Sequence, residues 1–295
     1  MNAAIQHRHT WIETDSGTDA SVRLHVVEAG PPDGEPVILL HGFPEFWYGW
    51  HRQIPALVRA GRRVVVPDQR GYHWSSKPRG IEAYRIQRLA RDVEALIDYT
   101  GHTRADVVGH DWGAMVAWAL AASAPHRVRR LGILNVPHPH VMVDTLRRRP
   151  AQRARSLYAA FFQLPTLPEW LLGRCEGAGL ALMMRMSSKA RTFSEADWRR
   201  YRVAWRQPGA LRGMLNWYRA AAQTNAFAQI PTVPIEPPTL VLWGKQDVAL
   251  CAEMAAASVA RCTNGRLVTF HDATHWVQHD MPEQVNRELI AFLES

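Results

Sequence analysis

Gly109-His110-Asp111-Trp112-Gly113 constrains this chain more than any other segment. Ahead of it, Ala105-Asp106-Val107-Val108 reads as a short buried strand. Behind it, Ala114 to Ala124 is an Ala-rich apolar helix stopped by Pro125. Strand, Gly-x-Asp-x-Gly and helix together make a sharp elbow. Its two glycines let strand and helix approach closely, and its central residue is pushed up on a strained turn. A serine there would attack acyl carbons. A carboxylate is a poor nucleophile toward esters and amides, but it can displace at a saturated carbon to give an alkyl-enzyme ester. A bare Gly-x-Asp-x-Gly is also compatible with an ordinary turn, so the reading depends on partners.

Two partners follow in the order nucleophile, acid, histidine. Thr239 to Gly244 is a buried strand, and Asp247 comes three residues later. Arg266 to Phe270 is another strand, followed by His271-Asp272-Ala273-Thr274-His275-Trp276. Asp247 and His275 therefore fall on loops at the same sheet edge as Asp111, where open α/β sheets bind ligands. His275 is the expected base toward water, with Asp247 fixing its tautomer. His271 and Asp272 are rivals by proximity. His275 is preferred because it lies further into the loop and abuts Trp276. The apolar strand Val37-Ile38-Leu39-Leu40 runs into His41-Gly42-Phe43-Pro44, the place from which such a fold supplies an oxyanion-binding amide. The expected donors are the backbone N–H groups of Phe43 and Trp112. His41, Pro44 and Trp276 are placed in the substrate pocket.

Further strands are read at Val22 to Val26, Val64 to Val66 and Val128 to Leu134, with a helix over Tyr84 to Tyr99. Strands alternating with helices predict an α/β fold with a mostly parallel, doubly wound sheet. From about residue 139 the strand signals vanish, and they return only after the Pro-rich stretch Pro231 to Pro238. The expected organisation is a core of residues 1–138 and 230–295, with a helical cap, residues 139–229, inserted over the catalytic edge.

These pieces resemble the epoxide hydrolases of α/β-hydrolase fold along nearly the whole chain. The matching segments are His41-Gly42-Phe43-Pro44-Glu45, Trp47-Tyr48, Asp68-Gln69-Arg70-Gly71-Tyr72 with Ser75-Ser76-Lys77-Pro78, the Asp111 elbow, Leu215-Asn216-Trp217-Tyr218-Arg219, and the Asp247 and His275 loops. The resemblance implies two cap tyrosines that polarise an epoxide oxygen. Tyr218 matches one position, and Tyr158, four residues before Phe162-Gln163-Leu164-Pro165, matches the other. His73 departs from the pattern, because the family usually has Gly or another small residue there. The implied reaction is hydrolysis of a largely apolar, small-molecule epoxide to a diol, with no cofactor and no metal. Haloalkane or haloacid dehalogenation shares the Asp nucleophile. It calls for N–H donors to the halide, and this chain has Phe43 where haloalkane dehalogenases often place Asn and Trp112 where fluoroacetate dehalogenases place Arg. A silent ligand receptor on the same fold is a third reading, against which the complete triad counts.

At 295 residues and 47% hydrophobic content the chain can bury one sizeable core. No run reaches the roughly 18 apolar residues of a membrane span, and the N-terminal stretch is polar, so a cytoplasmic enzyme is expected. Cys175, Cys251 and Cys262 are too few and scattered for a disulfide framework. His138-Pro139-His140 and His7/His9 lack metal-ligand spacing, and a hinge loop is the expected role of the first group. Charge is uneven. Residues 139–229 carry 15 Lys and Arg against 5 Asp and Glu, and Arg147-Arg148-Arg149 with Arg153 and Arg155 is the densest patch. It could meet nucleic acid, an acidic membrane surface or a carboxylated substrate. With no nucleic-acid motif and no interleaved aromatics, a solvated helix face is expected and nucleic acid is not.

Overall fold

The alternation of short β-branched runs with amphipathic segments folds as strand and helix in turn. A computed structural model describes residues 5–14 and 21–295. The chain runs β1 (Arg8–Thr14), β2 (Val22–Ala29), β3 (Pro36–Leu40), α1 (Ile54–Arg59), β4 (Arg63–Pro67), α2 (Ile86–Tyr99), β5 (Ala105–His110), α3 (Trp112–Ser123) and β6 (Val128–Leu134). Six helices follow: α4 (Pro139–Arg148), α5 (Pro150–Arg155), α6 (Leu157–Phe161), α7 (Leu167–Ser187), α8 (Glu195–Trp205) and α9 (Ala210–Gln223). The sheet then resumes with β7 (Thr239–Gly244), α10 (Glu253–Val259), β8 (Gly265–Phe270), α11 (Val277–Asp280) and α12 (Pro282–Glu294).

The eight strands form one sheet in the order β1-β2-β4-β3-β5-β6-β7-β8. Strands β1 and β2 pair antiparallel, as do β2 and β4, and every later pairing is parallel. The parallel strands are Val- and Leu-rich and buried along their whole length in β3, β5 and β7, as strands covered on both faces must be. Strand β1 was not expected. Its sequence is polar because it is an edge strand with one wet face, where Trp11 is exposed and Ile12 is buried. The expected helix at Tyr84 starts at Ile86 instead, after a 3-10 turn over Ile81–Tyr84.

After β3 the chain crosses to β4 on one side and then to β5 on the other. Such a reversal opens a crevice at the carboxyl ends of β3 and β5. Helix α3 lies directly behind it and is buried from Trp112 to Ala122, which explains its uniform apolarity. No helix among the described residues is long and apolar enough to cross a membrane.

Candidate active site

Five loops, each at the carboxyl end of a parallel strand, converge above this crevice. The loop after β3 carries Phe43, that after β5 carries Asp111, and those after β6, β7 and β8 carry Asn135, Asp247 and His275. Asp111 has φ +49° and ψ −126°, a conformation costly for any residue with a Cβ, and it holds the carboxylate above the start of α3. The glycines around it are dictated by contact. A Cβ on Gly42 would lie 2.2 Å from the Asp111 Cβ, and one on Gly113 would lie 2.2 Å from the Leu40 carbonyl oxygen. The close approach at Gly42 brings the Phe43 N–H to 2.7 Å from Asp111 Oδ1.

His275 links the two carboxylates. Its Nδ1 lies 2.7 Å from Asp247 Oδ2 and its Nε2 lies 3.3 Å from Asp111 Oδ2. Asp247 is buried and satisfied on both oxygens. Oδ1 accepts from the amides of Ala249 (2.7 Å) and Leu250 (2.9 Å), and Oδ2 also accepts from Asn135 Nδ2 at 2.9 Å. Burial alone would lower the His275 pKa, but the Asp247 charge, with the Asp111 hydrogen bond, raises it to about 10. Burial would raise the pKa of Asp111, yet the His275 hydrogen bond and charge keep it below the ordinary value. The resting pair is thus an imidazolium against an ionised carboxylate.

Tyr158 from α6 and Tyr218 from α9 border the same cavity as Asp111, Trp112 and His275. Their rings meet edge to face at 6.0 Å between centroids. Tyr218 is wedged edge-on between Trp112 and Phe43, at 5.0 and 5.2 Å. Desolvation of the hydroxyls raises the pKa of both phenols, Tyr218 being buried and Tyr158 37% exposed, and the Asp111 charge adds to it, so both remain protonated donors. The cavity has a volume of about 710 Å³, with room for a drug-sized molecule.

His41, Pro44 and Trp276 do not border this cavity, in contrast to the expectation from sequence. His41 is wholly buried, accepting the Gln69 N–H on Nε2 at 3.0 Å. The Pro44 carbonyl accepts from Trp205 Nε1, and Trp276 Nε1 donates to Ser187 Oγ. Each lies within two residues of Phe43 or His275 in the chain but is held by partners away from the cavity. His271 and Asp272 are exposed, and His271 faces Lys245. His138 accepts the His140 N–H at the start of α4, and His140 Nε2 meets the Ile230 carbonyl, so both brace the ends of the inserted helices.

Several contributors carry no signal that the sequence reading used. Asn135 is one: it has φ +49° and also holds the Gly244 amide through Oδ1 at 2.8 Å. Beneath the site His110 Nε2 faces the His275 carbonyl at 2.9 Å, and its Nδ1 lies 3.3 Å from buried Glu45. Burial would raise the Glu45 pKa, but His279 and His110 hold it well below the usual carboxylate range. His73 has φ +37°, and its Nδ1 lies 2.7 Å from Asp68 Oδ2, which also meets His25 Nδ1 at 2.6 Å. These three residues are the one group among the described residues with metal-ligand atoms this close together. Separations of 2.6 and 2.7 Å are hydrogen bonds between rings and carboxylate, and they hold His73 in its strained turn.

A family described as alpha/beta hydrolase fold matches residues 35–282. The chain is 43% identical over 274 residues to the AB hydrolase superfamily protein YfhM of Bacillus subtilis, covering 93% of this chain and 95% of that protein. It is 36% identical to Epoxide hydrolase 4 of Mus musculus, covering 94% of this chain and 77% of that one. Among solved structures, the Bacillus megaterium epoxide hydrolase in complex with an inhibitor superposes with a TM-score of 0.87 at 29% identity, covering 97% and 100% of the two chains.

Proposed function

The chain belongs to the epoxide hydrolases of α/β-hydrolase fold, and from that premise we propose that it converts an epoxide to a vicinal diol through a covalent ester on Asp111. The observation that carries this reading is the meeting of two chemistries in one cavity. Asp111 is paired with His275 and Asp247, and two phenol donors, Tyr158 and Tyr218, border the same space. The helices of residues 139–229 act as the cap that supplies these donors.

Asp111 Oδ1 is held by the Phe43 amide, so Oδ2 is the attacking atom. It bonds to an epoxide carbon, and the C–O pair collapses onto the ring oxygen, which takes a proton from a tyrosine hydroxyl. The His275 imidazolium replaces that proton. The product is a neutral hydroxyalkyl ester beside a neutral imidazole. His275 now takes a proton from water, with Asp247 stabilising the imidazolium that returns. The hydroxide adds to the ester carbonyl carbon, and the Phe43 and Trp112 amides stabilise the oxyanion on Oδ1. Collapse expels the Oδ2 alkoxide, which takes the proton of the added hydroxyl and leaves as the diol. The carboxylate regenerated on Asp111 contains Oδ1 and one oxygen from water.

A halide leaving group would want N–H donors instead. The Phe43 side chain offers only a ring, packed 5.6 Å from Phe162 and 5.2 Å from Tyr218. A panel of styrene oxide, trans-stilbene oxide, a fatty-acid epoxide, 1-bromobutane and fluoroacetate tests the reading. Turnover of at least one epoxide is expected, and turnover of halides alone would replace the proposal with dehalogenation.

A further inference from the structure

The antiparallel edge of the sheet carries a histidine cluster that the proposed chemistry does not use. Trp11 pairs with His25 in the register of β1 and β2, so His9, two residues before Trp11, stands on the same face as His25. His9 Nδ1 lies 2.9 Å from His25 Nε2. His7 alternates with His9, and both rings stand edge-on to the Trp47 ring, at 5.6 and 5.8 Å between centroids. His7 and His9 are exposed, and His25 is buried beneath them. Two histidines two residues apart make no metal-ligand set by themselves. Strand pairing supplies the further ring, which sequence spacing could not show.

His25 is already oriented as a ligand. Burial would raise the pKa of Asp68, but the hydrogen bonds of His25 and His73 hold it below its ordinary value, so its carboxylate only accepts. Asp68 Oδ1 takes the Trp47 amide at 3.0 Å, and Oδ2 takes His73 Nδ1 at 2.7 Å and His25 Nδ1 at 2.6 Å. His25 therefore carries its proton on Nδ1, and in the neutral ring Nε2 is a lone pair directed at His9. A metal-bound histidine typically has this same carboxylate partner on its other nitrogen, which fixes the tautomer and raises the basicity of the ligating one. Partial burial lowers the pKa of His7 and His9, which favours the neutral rings that a metal needs. We infer that His9 Nδ1 and His25 Nε2, completed by His7 and water, form a site for a divalent transition-metal ion of the kind imidazole binds, such as zinc, which clamps edge strand β1 to β2. The two rings are now 23° from parallel and share a hydrogen bond. His9 is exposed and can turn to admit an ion at about 2.0–2.1 Å from each nitrogen. Its proton passes from Nδ1 to Nε2, and none is released.

The test titrates the chelator-treated full-length chain with zinc chloride at neutral pH and reads binding by calorimetry. One equivalent should bind, and the ion should raise the thermal midpoint, because the paired strands that hold it exist only in the folded state. His9→Gln removes an exposed ring without emptying the core and should abolish both effects, with circular dichroism confirming that the variant is folded. His7→Gln should weaken binding. His126→Gln removes an exposed histidine outside the cluster and should change neither effect. Acidification should expel the ion as the rings protonate. Absence of wild-type binding at millimolar zinc, or binding by folded His9→Gln equal to that of the wild type, would overturn the inference. None of these readouts involves turnover, so the result stands apart from the epoxide hydrolase reading.

Discussion

Asn135 donates from Nδ2 to Asp247 Oδ2 across 2.9 Å, the same oxygen that receives His275 Nδ1. Asp247 is therefore oriented from a third strand end. Asn135 sits at φ +49°, a conformation that Asn tolerates and Ala does not. Asn135→Ala loses a hydrogen bond to a charged group and takes on backbone strain, which together destabilise by roughly 2–4 kcal/mol. Asn135→Gly keeps the backbone relaxed and should be milder. Chemical denaturation checks the order of the two variants. Equal stabilities would mean that the strain contributes nothing.

In the proposed reaction both tyrosines act on one oxygen. Losing a positioned proton donor costs about 10²–10⁴-fold in rate. Tyr158→Phe and Tyr218→Phe should each leave measurable alkylation, and the pair should leave almost none. If Tyr218 alone matters, another group takes the second role. Rapid-mixing fluorescence from Trp112, which borders the cavity, reads the step directly.

How much of this was legible in the sequence follows from what each residue depends on. Asp111, Asp247 and His275 lie just past strands whose apolar runs are unmistakable, and β6 and β7 begin and end where the patterning predicts. Strand ends in a parallel sheet share one edge, so sequence order sufficed to bring the three together. Side-chain direction was not legible. His41, Pro44 and Trp276 lie within two residues of Phe43 or His275, yet their own hydrogen bonds, to Gln69, Trp205 and Ser187, draw them away from the cavity. Asn135 follows a strand without any accompanying motif, and its role exists only once β6 lies beside β7. The cavity wall depends on the registers of α4 to α9, which local composition does not determine.

His275 should separate the two half-reactions. In the proposed mechanism it acts on water after the ring has opened, so His275→Ala should consume one equivalent of epoxide and then stall. Intact mass should then show an adduct on the Asp111 peptide. Asp247→Asn should slow the same step by loss of tautomer control. A folded, substrate-binding His275→Ala enzyme that stays unmodified would place His275 on the substrate instead.

The two steps should also part in their pH dependence. With both carboxylates ionised, the His275 pKa is raised from 6.5 to about 10, so the resting ring is protonated through neutral pH. Its contribution to folding stability is therefore fully present below 6.5 and is lost as pH rises through about 10. Esterification neutralises Asp111 and removes one of the charges holding that proton. Ester hydrolysis needs the neutral ring, so its rate should rise with pH at an apparent pKa below the resting value. Alkylation draws on the proton and should fade as pH approaches the resting value. Single-turnover rates across the pH range check this, and coincident pKa values for the two steps would contradict it.

The most direct test of the account is where the new oxygen goes. Attack by Asp111 Oδ2 puts a carboxylate oxygen into the first diol, and water then repairs Asp111. General-base attack of water on the epoxide would put solvent oxygen into every diol. The measurement is one turnover in ¹⁸O-water with enzyme in excess, followed by mass analysis of the diol and of the peptide containing Asp111. The account predicts a mostly unlabelled diol and an ¹⁸O-labelled peptide. A fully labelled diol with an unlabelled peptide would contradict it and leave Asp111 at most a base.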